Sequence, residues 1–276
     1  MTSIAVVSDE SLHTEPDVVR ILGFPVTNVT RQQAVERVRR FLDRPSFHHI
    51  VVANTNKFWL ACHVPGMSEI FDQAEMIIPE YGPVWAARVL GTPLRANVRG
   101  IGLLQALLPE LEQWGEPVYF LGARQQTLQL LLRKLRRDYP RLRIAGSHHG
   151  FFPPVAEEQM IARINKSGAR ILFAGMGSPR QELWIEKYRT RLLPRVAMGV
   201  GGSFDALAGV KREAPAWTQC GLEWLYRLCQ DPRLWKRYLR AHPWFMWHTL
   251  CERITGSAAV GFRPRPDFRG SASRGA

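Results

Sequence analysis

Two glycine-rich segments of the chain have the residue types of a phosphate-binding loop. The first follows the predicted strand 170–174 and reads Gly-Met-Gly-Ser-Pro-Arg-Gln-Glu over residues 175–182, with a helix predicted from the proline onwards. Such a loop directs backbone N–H groups and the positive end of a helix dipole at an anion, so it can hold a diphosphate. A plain strand-to-helix turn that needs glycine for its backbone remains open as the alternative. The candidate ligand contacts are Gly175, Gly177, Ser178, Arg180 and Gln181.

The second segment, 199–205, follows the last predicted strand and contains Gly201 and Gly202. This glycine pair lets the backbone approach a ligand closely, and Ser203 can cap the next helix. Neither segment is the G-x-G-x-x-G fingerprint of dinucleotide-binding proteins, and the chain contains no Asp-x-Asp. We therefore expect helix ends and arginines, rather than a metal or a cofactor, to neutralise a phosphorylated leaving group.

A carboxylate directly after a strand is a candidate general base for an attacking hydroxyl group. Glu80 follows the strand that we predict to end at Ile78. An ordinary solvent-facing glutamate also fits that position, so position alone leaves both interpretations open. His148 and His149 follow another predicted strand and would face the same edge of the sheet. They can bond a ligand, although a structural histidine is the alternative.

The elements that must position these residues alternate along the chain. Short β-branched runs and amphipathic stretches predict an α/β fold, in which a parallel sheet is flanked by helices. The predicted strands are 49–53, 75–78, 118–121, 142–145, 170–174 and 195–198. The predicted helices include 56–63, 83–90, 125–139, 155–166 and 181–192.

Composition limits the class of protein. With 276 residues, of which 46% are hydrophobic, the chain can bury one substantial core. Residues 1–19 contain no Lys or Arg, and no apolar run approaches the roughly 20 residues that span a bilayer. We therefore expect a cytoplasmic protein. The four cysteines show no CxxC spacing, which argues against a zinc site or a disulfide framework.

The chain has a formal net charge of +13, and its composition changes after Pro215. This change indicates which segment uses the positive charge to bind a partner. Residues 217–253 become aromatic and basic and predict a helical appendage. Trp and Tyr favour the membrane interface, and each Lys or Arg beside them attracts anionic lipid by about 1 kcal/mol. Nucleic-acid binding by base stacking is one alternative, and a solvated basic helix that packs its tryptophans into the core is another. We favour an anionic membrane surface, and no nucleic acid, as the partner.

Six segments of the chain form one ordered set: 146–152, 164–168, 175–184, 199–209, 211–217 and 221–227. In order and spacing this set resembles the WecG/TagA/CpsF glycosyltransferases, with agreement between Ile21 and Leu250. The resemblance implies a Rossmann-like domain and an inverting transfer without an obligatory metal. It implies a UDP-sugar donor, such as UDP-N-acetylmannosamine or a hexose relative, and a polyprenyl-diphosphate-linked sugar as acceptor. In the family this reaction serves teichoic acid, enterobacterial common antigen or capsule synthesis.

Individual positions can be carried over from the resemblance. Asn54 matches the family's Asn after the first long strand, and Gln181 matches the Gln of its Pro-Lys-Gln-Glu motif. Glu80 falls where the family has the Asp that is its proposed general base. The basic appendage of the family meets the membrane and helps to complete the site. Its diphosphate-neutralising arginines correspond to Arg227, Arg233 and Arg237.

Several positions depart from the family pattern: Val52 for Thr, Tyr81 for Gly, Asn97 for Arg, and Arg99 and Gly102 for Thr and Asp. These departures motivate an alternative, a catalytically silent member that binds a nucleotide sugar and regulates or scaffolds exopolysaccharide assembly.

The leading hypothesis is a peripheral glycosyltransferase on the inner face of the cell membrane, as a monomer or a homo-oligomer. Its predicted parts are a disordered tail over 1–18, the Rossmann-like domain over 19–215, the membrane-associating appendage over 216–253, and a disordered tail over 254–276.

Overall fold

The computed structural model describes residues 18–211, 226, 228–229 and 235–256. Most of both predicted tails and the part of the appendage before Trp235 lie outside these residues, apart from 226 and 228–229. The candidate arginines Arg227 and Arg233 are therefore not described. Arg237, the third candidate arginine of the appendage, lies within the described residues.

A six-stranded parallel sheet organises the described chain. Its strands are β3 (His48–Ala53), β4 (Met76–Pro79), β5 (Val118–Gly122), β6 (Ile144–His148), β7 (Ile171–Gly175) and β8 (Val196–Gly199), in the spatial order β4-β3-β8-β7-β5-β6. Helices cover the sheet, so the predicted α/β, Rossmann-like architecture is confirmed. An antiparallel hairpin, β1 (Val18–Ile21) and β2 (Phe24–Thr27), packs beside β4, where the backbone N–H of Ile77 donates to Thr27 Oγ1 at 3.0 Å.

Ten α-helices lie within the described residues. They are α1 (Arg31–Asp43), α2 (Thr55–His63), α3 (Met67–Gln73), α4 (Tyr81–Val89), α5 (Gly100–Trp114), α6 (Gln125–Asp138), α7 (Glu157–Lys166), α8 (Arg180–Lys187), α9 (Ser203–Leu207) and α10 (Trp235–Thr255). A short 3₁₀ turn, Pro154–Ala156, precedes α7.

The core lies on both faces of the sheet, as expected for parallel strands. Alternate strand residues point to opposite faces, so Ile50 and Val52 pack on the side of α1 and α5, whereas Val51 and Ala53 pack on the side of α2 and α3. A third cluster beneath α7 and α8 includes Trp184 and Ile185. The continuous apolar runs of the central strands follow from this burial on two sides.

Helix α10 packs across α2 and α4. Its Phe245 is fully buried, with its ring centroid 5.1 Å from that of Phe58 in α2, and Glu252 Oε2 accepts the backbone N–H of Leu22 at 2.8 Å. The opposite side of the helix is apolar and exposed: Leu239, Met246, Trp247, Leu250 and Ile254. Within the described residues, no helix has both the length and the apolar character that a membrane span requires.

The sixth strand differs in position from its prediction. β6 begins at Ile144 rather than Leu142 and extends to His148, because Val118 of β5 pairs with Ile144. Leu142 is instead buried against the core as part of the preceding turn. His148 therefore ends the strand instead of following it.

Candidate functional site

A cavity of about 670 Å³ opens at the carboxyl edge of β3 and β4, between α4, α10 and the loop before α5. Such an edge is where open α/β sheets bind ligands. The lining residues come from five parts of the chain: Arg31, Asn54, Thr55, Asn56, Glu80, Tyr81, Gly82, Val84, Trp85, Arg88, Leu94, Arg95, Ala96, Asn97, Arg99, Arg237, Tyr238, His242, Phe245 and Met246.

Asn54 and Glu80 are brought together by strand pairing. Ala53 of β3 and Pro79 of β4 are partners in the parallel ladder, so the residue after each strand lies beside the other. The side-chain Nδ2 of Asn54 donates to Glu80 Oε2 at 3.1 Å, while its Oδ1 caps α2 by accepting the Lys57 backbone N–H at 3.1 Å. The backbone N–H of Gly100 donates to Glu80 Oε1 at 3.3 Å. Two hydrogen bonds thus fix the candidate base.

Two glycines allow the elements around Glu80 to approach this closely. A Cβ at Gly82 would lie 2.3 Å from Thr55 Cγ2, so the first turn of α4 can pack on the start of α2 only without a side chain there. A Cβ at Gly100 would lie 3.0 Å from Val52 Cγ2, beneath the first turn of α5. The carboxylate is therefore held where the starts of three helices converge.

The charge of the cavity is strongly positive. Among the described residues, five arginines line it, whereas Glu80 is the single acidic lining residue. They are Arg31, Arg88, Arg95, Arg99 and Arg237. Guanidinium groups form charge-assisted hydrogen bonds with phosphate oxygens, so the lining suits a phosphorylated ligand. Aromatic side chains of Tyr81, Trp85 and Tyr238 add apolar surface.

Helix α10 completes one wall of this cavity. Arg237, Tyr238, His242, Phe245 and Met246 all line it. The ring Nδ1 of His242 lies 3.4 Å from Thr55 Oγ1. Burial lowers the pKa of His242 below 6.5 and Arg237 lowers it further, although a hydrogen bond with the Tyr238 backbone acts in the opposite direction. The ring is therefore neutral near pH 7.

The two glycine-rich segments are joined to each other by Gln181. Its Oε1 accepts the backbone N–H of Gly177 at 3.0 Å and that of Gly201 at 3.1 Å, and the residue is 1% exposed. These two N–H groups, which the sequence suggested for a diphosphate, thus have an acceptor within the protein. The cavity lining does not include Gly175, Gly177, Ser178, Arg180, Gln181, Gly201 or Gly202.

A buried ion pair stands behind the first glycine loop. Lys57 Nζ lies 2.6 Å from Glu182 Oε1, and both side chains are almost fully buried. Burial alone would raise the pKa of Glu182, but Lys57 and hydrogen bonds from Gln181 and Ser178 lower it below its usual 4.5. Arg180 points elsewhere: its Nη2 donates to the Phe152 carbonyl at 3.1 Å. Glu182 and Ser178 therefore bond partners within the protein and hold the glycine loop in place.

The paired histidines form a local turn instead of joining Glu80. His148 Nδ1 lies 2.7 Å from the His149 carbonyl, and the Phe151 N–H donates to His149 Nδ1 at 3.2 Å. Neither ring lines the cavity. Within the described ranges, no group of three or more His, Cys, Asp or Glu side chains is arranged to hold a metal ion.

The structure thus gathers three of the predicted site residues, Asn54, Glu80 and Arg237, into one cavity. Sequence reasoning missed Arg31, Arg88, Arg95 and His242 as part of it, and it noted Arg99 only as a departure. The signal for the arginines was weak, since each is an isolated basic residue that belongs to no recognisable motif. Their convergence depends on the packing of α1, α4 and the loop before α5, which no local pattern specifies.

A parallel sheet with an electropositive cavity and a fixed carboxylate at its carboxyl edge is an arrangement that suits a glycosyltransferase domain. The chain belongs to the Glycosyl transferase WecG/TagA/CpsF family, whose model matches residues 19–259. It is 33% identical over 202 residues to an N-acetylglucosaminyldiphosphoundecaprenol N-acetyl-beta-D-mannosaminyltransferase of Bacillus spizizenii, covering 72% of this chain and 77% of that relative. A relative of the same name from Staphylococcus aureus is 33% identical over 235 residues, covering 83% and 91%.

Proposed function

We propose that this glycosyltransferase moves a sugar, N-acetylmannosamine or a related hexose, from a UDP-sugar to a polyprenyl-diphosphate-linked acceptor sugar. The observation that carries the proposal is the Glu80 carboxylate, held by Asn54 and the Gly100 N–H in a cavity lined by five arginines. The names of the relatives support an acceptor of the diphosphoundecaprenol class and a mannosaminyl donor group.

The proposed reaction is a single displacement with inversion. The acceptor hydroxyl oxygen bonds to the anomeric carbon while the bond from that carbon to the UDP oxygen breaks. Glu80 takes the hydroxyl proton, because a carboxylate after a strand end is suitably placed for general base catalysis. The UDP leaves with its electron pair, and the negative charge that grows on its diphosphate is stabilised by guanidinium groups.

Charge neutralisation is assigned first to the arginines of the cavity, including Arg237. Arg227 and Arg233 of the appendage, and the loop from Gly175 to Arg180, are proposed to contribute at the diphosphate when substrate is bound. The N–H groups of Gly177 and Gly201 now donate to Gln181. To bind the diphosphate, these two groups must release Gln181, or other backbone groups of the loop must contact the ligand.

The proposed site of action is the inner membrane surface. The outward side of α10 exposes large apolar residues, with Trp247 at 65% and Ile254 at 83%. Lys236 and Arg240, both exposed on the same helix, can attract anionic headgroups. Since Met246 is 48% exposed and also lines the cavity, this surface would place the cavity beside the lipid that carries the acceptor.

A transfer assay tests the proposal. Purified protein is incubated with a panel of UDP-sugars and a short-chain prenyl-diphosphate-GlcNAc acceptor, and disaccharide formation is followed by mass spectrometry. We expect one donor to give product and to raise the melting temperature by mass action. Binding of UDP-sugars without product from any donor would instead favour the silent, scaffolding member, which the Tyr81, Asn97 and Arg99 positions within the cavity motivate.

A further inference from the structure

Two histidines of α10 occupy different surroundings. The His248 ring stacks on Trp244 with centroids 4.4 Å apart, and its Nδ1 lies 2.7 Å from the Trp244 carbonyl, away from the cavity lining. The His242 ring, about 1.7 turns earlier, lines the cavity that contains Glu80. The same helix therefore carries one histidine with a packing role and one that faces the candidate site.

His242 is tied to the same short segment that positions Glu80. Asn54 and Thr55 are consecutive: the first donates to Glu80 Oε2 at 3.1 Å, and the hydroxyl of the second lies 3.4 Å from His242 Nδ1. The packing of Phe245 on Phe58, 5.1 Å between ring centroids, holds α10 against α2 at this point. The His242 ring and the Glu80 carboxylate are thus both positioned by contacts with the start of α2.

A neutral imidazole adds a hydrogen-bond acceptor to a cavity wall whose other described acceptors include the side chains of Asn56 and Asn97. Arginine side chains only donate hydrogen bonds, so a sugar hydroxyl that must donate needs an acceptor, and Glu80 is reserved for the attacking hydroxyl. With one nitrogen protonated, neutral His242 donates at one ring position and accepts at the other. The ionisable groups that line the cavity around it are Glu80, Tyr81, Arg88, Arg95, Arg99, Arg31, Arg237 and Tyr238.

We propose that His242 is a substrate-contacting residue whose ring hydrogen-bonds a hydroxyl group of the acceptor sugar beside Glu80. The inference rests on the proposed function and adds a residue to it. The acceptor, rather than the donor, is assigned because His242 and Met246 lie one turn apart on α10, and Met246 connects the cavity with the exposed apolar surface. A lipid-linked sugar approaching from that surface meets α10 first.

The test compares His242→Gln and His242→Asn with His248→Gln as the matched control. Steady-state kinetics are measured against acceptor and donor separately at several pH values. We expect kcat/KM for the acceptor to fall about tenfold or more in both His242 variants, with the donor KM within about twofold of wild type. Wild-type kcat/KM for the acceptor should decline as the pH drops below 6.5 and the ring gains a proton, and the His242 variants should lack that decline.

A binding measurement on the wild-type protein covers the case in which a variant fails to fold. Addition of the GlcNAc-bearing acceptor analogue should shift the His242 C–H resonance in an NMR titration, and the His248 resonance should not move. Wild-type kinetics and pH profile in both His242 variants, or an unmoved His242 resonance at saturating acceptor, would overturn the inference. If the wild-type protein transfers no sugar at all, the proposed function has failed instead, which is a different result.

Discussion

The amide nitrogen of Asn54 lies 3.1 Å from Glu80 Oε2, and this contact joins the residues that directly follow two paired parallel strands. Because the amide oxygen of the same side chain caps α2, Asn54 cannot rotate away without uncapping the helix. The candidate base is therefore positioned by its neighbour at the sheet edge, together with the Gly100 N–H. This relationship carries the mechanism that we propose.

Removal of the Asn54 side chain should impair the reaction more than binding. Asn54→Ala leaves Glu80 with one hydrogen-bond donor and frees its carboxylate to move, so we expect kcat to drop by on the order of a hundredfold. The donor KM should change little. Asn54→Ser, whose hydroxyl can accept the Lys57 N–H and cap α2 in place of the amide oxygen but is too short to replace the Nδ2 donor to Glu80, separates the two roles: near-wild-type kcat in this variant would show that capping alone matters.

Disruption of the buried pair behind the glycine loop should destabilise the protein. Glu182→Gln leaves the ammonium of Lys57 buried without a counter-charge, and we expect a loss of about 3–5 kcal/mol of unfolding free energy in urea titrations. The double variant Lys57→Met/Glu182→Gln removes both charges and should recover much of this loss. If Glu182→Gln is as stable as the wild-type protein, the ion pair does not contribute to the free energy of unfolding.

Membrane binding should depend on the exposed side of α10. Trp247→Glu/Leu250→Glu places charge within the apolar surface and should weaken binding to vesicles that contain anionic lipid by about tenfold or more. Leu193→Glu is the matched control, since Leu193 is 71% exposed but lies in the loop between α8 and β8. Sedimentation with vesicles measures the effect. Equal loss in the control, or none in the double variant, contradicts the assignment.

Stability should decrease as the pH falls below 6.5. Burial lowers the pKa values of His48, His148 and His242 in the folded protein, so the unfolded chain takes up protons first. Each of these groups therefore favours unfolding increasingly from pH 6.5 down to its folded-state pKa. Urea midpoints at pH 7.5 and 5.5 check the direction, with a lower midpoint expected at pH 5.5. An unchanged midpoint would indicate that these histidines titrate as they do in the unfolded chain.

The sheet was predictable because its strands carry strong local signals. Short apolar runs such as Ile171–Gly175, followed by glycine-containing loops, are typical of buried parallel strands. The hairpin β1–β2 and helices α1, α3 and α5 escaped prediction. In α5, Gly100, Gly102 and Pro109 weaken the helical pattern, and the fold of this segment depends on burial against the sheet.

Strand register accounts for one part of the predicted site, whereas Arg237 on α10 was assigned only through the family resemblance. Asn54 and Glu80 follow neighbouring strands, so their meeting can be expected from parallel pairing alone. Gln181, in contrast, reads as a ligand contact in sequence but lies buried, where it bonds two loop N–H groups. Its partner Gly201 comes 20 residues later, and such long-range hydrogen bonds leave no trace in local composition.

The most direct test of the account is sugar transfer by Glu80→Gln. Glutamine retains the shape of the side chain but cannot accept the hydroxyl proton, so kcat should fall by about a hundredfold to ten-thousandfold while UDP-sugar still binds. Glu36→Gln, at an exposed position of α1, should transfer at the wild-type rate. Unchanged turnover in Glu80→Gln would contradict the account and remove Glu80 from the reaction.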